Sequence, residues 1–173
     1  LVQNNFNVKV VQTESAAKFV TPVTFQALSR NFVYIDTFEE PDPMNIAHID
    51  IADWADLVLV APATANIIGK IANGIADDMV STTLLATTAP IMIAPAMNVD
   101  MYAHVAVQRN MAQLQKDGYT FVEPGEGLLA CGYVGKGRVE EPEVIAEKVD
   151  AYFQTIDERP LQGKTVLVTA GPT

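Results

Sequence analysis

The segment Pro95-Ala-Met-Asn-Val-Asp-Met-Tyr102 follows the apolar run Pro90-Ile-Met-Ile-Ala94 and puts an Asn amide where a strand ends. In an open α/β sheet the carboxyl ends of the strands are where ligands bind. Asn98 is placed either to cap the helix that follows or to face a substrate, and the segment by itself leaves both open. The same layout occurs earlier, where Asp56-Leu-Val-Leu-Val-Ala61 runs into Pro62-Ala-Thr-Ala-Asn66. Two strand ends built alike suggest one crevice. Small residues there let a planar ligand approach the backbone, and helix-start N–H groups can hold carbonyl or phosphate oxygens. Neither G-x-G-x-x-G nor a P-loop is present, so a flat cofactor would bind by another route.

His48 lies in an apolar and acidic stretch with Ile46, Ile49, Asp50 and Asp53 around it. The alternatives are a packed, hydrogen-bonded imidazole and one that positions an acid or moves a proton. His104, beside Tyr102-Ala103, reads as a surface residue. Cys131 is the single cysteine, set between Ala130 and Gly132 with Lys136 and Arg138 nearby. It is either a small core hydrophobe or a thiol whose ionised form those cations favour. No His, Cys or carboxylate pair has metal-ligand spacing, and Asp77-Asp78 reads better as a helix start, so no metal is expected. No Ser-His-Asp set and no G-x-S-x-G elbow supports hydrolase chemistry.

These residues need a frame that delivers strand ends to one edge. The 173 residues are 49% hydrophobic, enough for one α/β core. Asn7 to Thr13 reads as a strand, and Thr21-Pro22 opens a helix through Ser29. Asp42-Pro43 starts a helix through Trp54. The run Asp56 to Ala61 is apolar after its first residue, as a parallel strand covered on both faces would be, and marks the sheet centre. Thr64 caps a helix through Ala72 that Gly74 closes, and Asp77 or Asp78 starts another through Thr87. After the Pro90 to Ala94 strand, a helix from about Ala103 to Lys116 ends at Gly118, and Tyr119 to Val122 is a short strand. Pro124 to Pro142, rich in Gly, reads as a long loop or flap, and Glu143 to Gln154 as a last helix. Strands alternating with helices imply an α/β architecture in three layers, a parallel sheet with helices on both faces, in a single domain.

The charge balance of 11 Lys and Arg against 21 Asp and Glu, net −10, argues against a nucleic-acid partner. No signal segment or membrane span is read in the chain. One cysteine suggests a reducing compartment, and a cytoplasmic location is expected.

Together these motifs resemble the phosphopantothenoylcysteine decarboxylases, within the flavin-containing cysteine decarboxylases, over Asn7 to Phe153. The family's P-x-M-N-x-x-M-W motif is met by Pro95, Met97, Asn98 and Met101, its flavin segment by Ala61 to Asn66, and its A-C-G flap by Ala130 to Gly132. The family's histidine, just before the central strand, falls on His48. The resemblance implies a three-layer, flavodoxin-like, Rossmann-like fold, bound FMN, homotrimers often built into dodecamers, active sites shared between subunits, and decarboxylation of 4'-phosphopantothenoylcysteine to 4'-phosphopantetheine in coenzyme A synthesis. It assigns catalysis to His48, Asn98 and Cys131. Substrate contacts fall to Asn98, Met101, Leu129 and Ala130, and FMN contacts to Thr13, Ser15, Thr64, Ala65, Asn66 and Ala96.

The sequence departs from the family pattern at Tyr102, where Trp is usual, at Ile67, often Thr, and at Tyr133, often Asp. The family's first strand and S-G-S-I-A phosphate-binding turn are absent before Leu1, which is read as a missing start. Residues 1–156 are expected to form the decarboxylase domain. Residues 157–173 are expected to be a linker and the first strand of a following synthetase domain, because Gly163-Lys-Thr-Val-Leu-Val-Thr-Ala-Gly-Pro-Thr173 resembles such an opening. Two other readings are a peptidyl-cysteine decarboxylase of lantibiotic maturation and a non-catalytic regulatory or binding relative. A flavin prenyltransferase shares the scaffold but is not expected to carry the Asn98 and Cys131 motifs.

Overall fold

A computed structural model describes residues 1–39, 41–128, 134–156 and 165–170. The first strand, β1 (Asn7–Gln12), leads into the single turn α1 (Glu14–Ala17), where Thr13 Oγ1 accepts the Ala16 N–H at 3.0 Å. Helix α2 (Pro22–Ser29) has Pro in its first turn and ends at Arg30 in the left-handed region, φ 58°. After β2 (Val33–Tyr34), helix α3 (Ala47–Trp54) begins later than the Asp42-Pro43 signal predicts. Asp42 makes a local turn instead: its carboxylate accepts the Met44 N–H at 2.9 Å and Asn45 Nδ2 at 2.8 Å. A carboxylate satisfied by its neighbours in this way competes with helix.

The central elements form where their signals predict. Strand β3 (Leu57–Ala63) is followed by α4 (Ala65–Ala72) with Thr64 as cap, and Gly74 takes φ 66° after it. Helix α5 (Met79–Ala86) carries a capping box between Asp78 and Ser81. Next come β4 (Ile91–Pro95), α6 (Val99–Ala103) and α7 (Val105–Lys116). The helix expected from about Ala103 to Lys116 is α7, and α6 is the short helix that follows Asn98. His104 ends α6 and caps α7, its Nδ1 accepting the Ala106 N–H at 3.2 Å. The short β5 (Thr120–Phe121) precedes β6 (Gly125–Leu128) and β7 (Val134–Arg138), then α8 (Pro142–Ile156) and β8 (Thr165–Ala170). Within the segment expected as a long loop or flap, β6 and β7 pair antiparallel, Leu128 opposite Val134 and Gly127 opposite Gly135. Its glycines hide the period-2 alternation that marks a strand.

The main sheet has the order β2-β1-β8-β3-β4-β5, parallel throughout. Its strands feed two cores. Val58 and Val60 point to one with Ile51, Ile68, Met79 and Leu114; Leu57 and Leu59 point to the other with Phe6, Val149 and Phe153. Burial on both faces is why β3 lacks polar alternation. Strand β8, within the stretch 157–173 that is expected to lead into a following domain, lies between β1 and β3 in this sheet. Leu167 is buried in the first core and Val168 packs on the second, the composition a covered parallel strand requires.

Candidate functional site

The carboxyl ends of β3 and β4 lie side by side, and the Ala96 N–H donates to Ala63 O at 2.9 Å. This bond joins the two similar strand ends into one edge. At the first, Thr64 caps α4 by accepting the Ile67 N–H, leaving the earliest α4 amides without intrahelical acceptors. At the second, Asn98 Oδ1 accepts the N–H groups of Asp100 at 2.8 Å and Met101 at 3.4 Å. That cap uses the carbonyl half of the amide. Gripping a carboxylate uses the NH2 half, so cap and ligand roles are chemically compatible.

A cleft of about 540 Å³ opens along this edge, lined by Thr13, Ser15, Thr64 and Asn66 among others. Its size is that of a small-molecule or cofactor site. The structure thus gathers four expected cofactor residues around one space. Ala65 lies between two of them in α4, and Ala96 is tied to the edge through Ala63. His48 and Asn98 do not line this cleft. His48 is the second residue of α3, and α3 runs back to the start of β3, so its N-terminal end sits toward the carboxyl edge. His48 is half-buried, and its Nδ1 is buried with no hydrogen-bond partner. Met101 is half-exposed on α6. Leu129, Ala130 and Cys131 lie outside the described residues.

Two features of the cleft escaped the sequence reading. Ile35, Asp36, Thr37 and Phe38, directly after β2, form part of its wall. The same rule of polar residues after an apolar strand would have found them, had a two-residue strand been legible. The second is a charge cluster: Lys70 Nζ lies 2.6 Å from Asp77 Oδ1 and 2.6 Å from Asp78 Oδ2. Burial works against the Lys70 charge, but bonds to both aspartates outweigh it and hold the ammonium above its ordinary range. Burial likewise disfavours the Asp78 carboxylate, yet Lys70 and the Ser81 hydroxyl and amide hold it below its ordinary range. The cluster ties the end of α4 to the start of α5.

The donor set suits a flavin. Thr169 Oγ1 is buried in the wall with no partner, and Thr13, Ser15, Thr64 and Asn66 are neutral polar groups. Lys70, the lysine of the wall, is matched by Asp77 and Asp78, while Glu14 and Asp36 add negative charge. A cofactor phosphate here would rely on neutral hydroxyls and backbone amides. Among the described residues no group of three or more His, Cys, Asp or Glu is arranged to hold a metal, and no helix is long and apolar enough to cross a membrane.

The sequence profile of the family described as Flavoprotein matches residues 1–154. The chain belongs to the flavoprotein family. This flavoprotein is 65% identical, over its whole length, to 43% of the coenzyme A biosynthesis bifunctional protein CoaBC of Bacillus subtilis. It is 47% identical over 89% of its length to a cysteine/cysteine sulfinic acid decarboxylase of an unknown prokaryotic organism, covering 44% of that protein. The chain therefore spans less than half the length of these curated relatives. Among solved structures, a PPC decarboxylase mutant complexed with pantothenoylaminoethenethiol matches with TM-score 0.67 at 27% identity, over 85% of this chain and 97% of that one. MrsD from a Bacillus species matches with TM-score 0.72 at 32% identity, over 85% of this chain and 80% of that one. The three-layer parallel fold of this flavoprotein is the fold of those neighbours.

Proposed function

We propose that this flavoprotein binds FMN and decarboxylates 4'-phosphopantothenoylcysteine to 4'-phosphopantetheine, a step of coenzyme A biosynthesis. The observation that carries the reading is the joined pair of strand ends, one opening on a cofactor-sized cleft and the other presenting Asn98. The identity to CoaBC, higher than to the cysteine decarboxylase, favours the phosphopantothenoyl substrate.

Bound FMN would supply the two-electron redox chemistry that takes the substrate thiol to a thioaldehyde and back. Thr13, Ser15, Thr64, Ala65, Asn66 and Ala96 would hold it, through hydroxyls, one amide and backbone close to small side chains. Asn98 grips the substrate carboxylate with neutral N–H donors, which orient it without a fixed positive charge that would hold it back from leaving as CO2. Met101, Leu129 and Ala130 contact the rest of the substrate. The imidazole of His48 positions the carboxylate or exchanges a proton at the cysteinyl end, reaching the site of a neighbouring subunit in a homotrimer or dodecamer. Cys131 gives its proton to the enethiol carbon left by decarboxylation.

The same reading places the protein in the cytoplasm and residues 157–173 at the approach to a synthetase domain, in keeping with CoaBC relatives more than twice this chain's length. The test is a flavin-loaded preparation given 4'-phosphopantothenoylcysteine, free cysteine, or a peptide ending in cysteine. CO2 release with the first and little with the others is expected; preference for the peptide or for free cysteine defeats the substrate assignment. Cys131→Ser is expected to release CO2 and accumulate the enethiol. Unchanged product formation by that variant would remove Cys131 from the proton-donor role.

A further inference from the structure

We infer that Gly137 is a positioning residue, the point at which the β6–β7 hairpin docks on the Asn98 corner. Pro95 to Asn98 is held from two sides. The Ala96 N–H donates to Ala63 O at 2.9 Å, tying the corner to the sheet, and the Met97 N–H donates to Gly137 O at 2.8 Å, tying it to β7. The second tie needs glycine for two separate reasons. Gly137 has φ 145°, a conformation that L side chains rarely adopt. A Cβ there would also fall on the carbonyl oxygen of Met97, with Met97 C at 3.4 Å and Asn98 C at 3.6 Å. Backbone cannot swing aside as a side chain can, so any other residue at 137 lifts β7 off the corner or displaces Met97 and Asn98.

Gly125, on the facing strand, gives the contrast. It pairs with Arg138, its φ is outside the left-handed region, and a Cβ there would meet Glu140 Oε1 at 3.5 Å, an ordinary contact. The requirement for glycine therefore belongs to Gly137 at the docking point and is not shared by Gly125 across the hairpin. The consequence for catalysis rests on the proposed function, in which Asn98 orients the carboxylate that leaves.

The experiment compares wild type, Gly137→Ala and Gly125→Ala as FMN-loaded holoenzymes, with turnover of 4'-phosphopantothenoylcysteine and site-resolved amide hydrogen exchange as readouts. Gly137→Ala is expected to lose about 100-fold in kcat, to keep its FMN, and to exchange the Met97 amide at least about tenfold faster while Ala96 stays protected. Gly125→Ala is expected to match wild type in both. A general loosening of the fold would accelerate Ala96 and Met97 together, so that pattern overturns the inference, as does wild-type kcat in Gly137→Ala. Should Gly137→Ala not fold, wild type still decides: a Met97 amide exchanging as an open one refutes the docking, and a protected one supports it. A wild-type holoenzyme that leaves the substrate untouched refutes the proposed function, while its Met97 amide still decides the docking.

Discussion

The two strand ends of this sheet are written in nearly the same residues and come to lie under different roofs. Ala61 to Asn66 opens on the cleft, with Thr64 and Asn66 in its wall. Pro95 to Asn98 carries the same small residues into a capped helix, but β7 sits over it and takes the Met97 N–H. A local pattern of strand, Pro-Ala and polar cap therefore builds a site edge without fixing what the edge will hold. On the proposed function the neighbouring element decides it: the open cleft beside α4 would take the cofactor, and the corner tied to β7 would take the substrate carboxylate.

If the duties are divided in this way, damage at each end has a different signature. Asn98→Asp keeps a good cap but sets a negative charge against the substrate carboxylate, so turnover should fall by about 100-fold or more. Flavin content and thermal midpoint should stay near wild type. An active Asn98→Asp enzyme would end the assignment of this corner to the carboxylate. Thr64→Ala should do the reverse: about tenfold weaker FMN retention in a dialysis titration and about 1 kcal/mol less stability from the lost cap, with kcat at saturating FMN little changed. A kcat defect equal to that of the Asn98 variant would erase the distinction between the two ends.

Smaller effects test the wall of the first end. Lys70→Met leaves Asp77 and Asp78 without their cation and should cost about 1–3 kcal/mol in a denaturant melt, with FMN retention lowered alongside. The cluster also predicts the shape of stability against pH. Asp78 is held below its ordinary range, so its contribution is present above about pH 4 and is lost as acid carries the solution through the lower folded value. Lys70 is held above its ordinary range, so its share persists to about pH 10.5 and is lost only beyond that. Asp78→Asn, which keeps a capping side chain, should flatten the acid limb of a plot of Tm against pH and leave the neutral plateau almost unmoved.

How much of this was legible in the sequence follows from where the deciding forces lie. Thr64, Asp78 and Asn98 announce their helices because a cap is a contact within three residues. Strand β3 announces itself because burial on both faces forces an apolar run. The start of α3 differs from the Asp42-Pro43 signal because Asp42 satisfies itself in a turn, while the helix expected from about Ala103 begins at Val105, with His104 as its cap. Hairpin β6–β7 and the berth of β8 between β1 and β3 depend on partners far away along the chain, which no local pattern encodes. At the site, the strand-end pattern singles out Thr64 and Asn66, whereas Thr13 and Ser15 enter only through the family resemblance, and all four line the same cleft. Asp36 and Thr37 were not found, since β2 is too short to reveal its own end. The Lys70 cluster was hidden because it joins two helices across their connection, with each partner reading separately as a surface charge or a cap.

The link between Met97 and Gly137 runs from main chain to main chain, and this gives its two ends unequal freedom to vary. Any residue at 97 except proline supplies the N–H, so Leu or Ile there retains the bond, and that side chain is open to selection for packing in the core it shares with Ile93. At 137 no such freedom exists, since the demand is for the absence of a side chain. A library randomised at both positions and selected for the decarboxylation proposed above should return a spectrum of residues at 97 and a single one at 137.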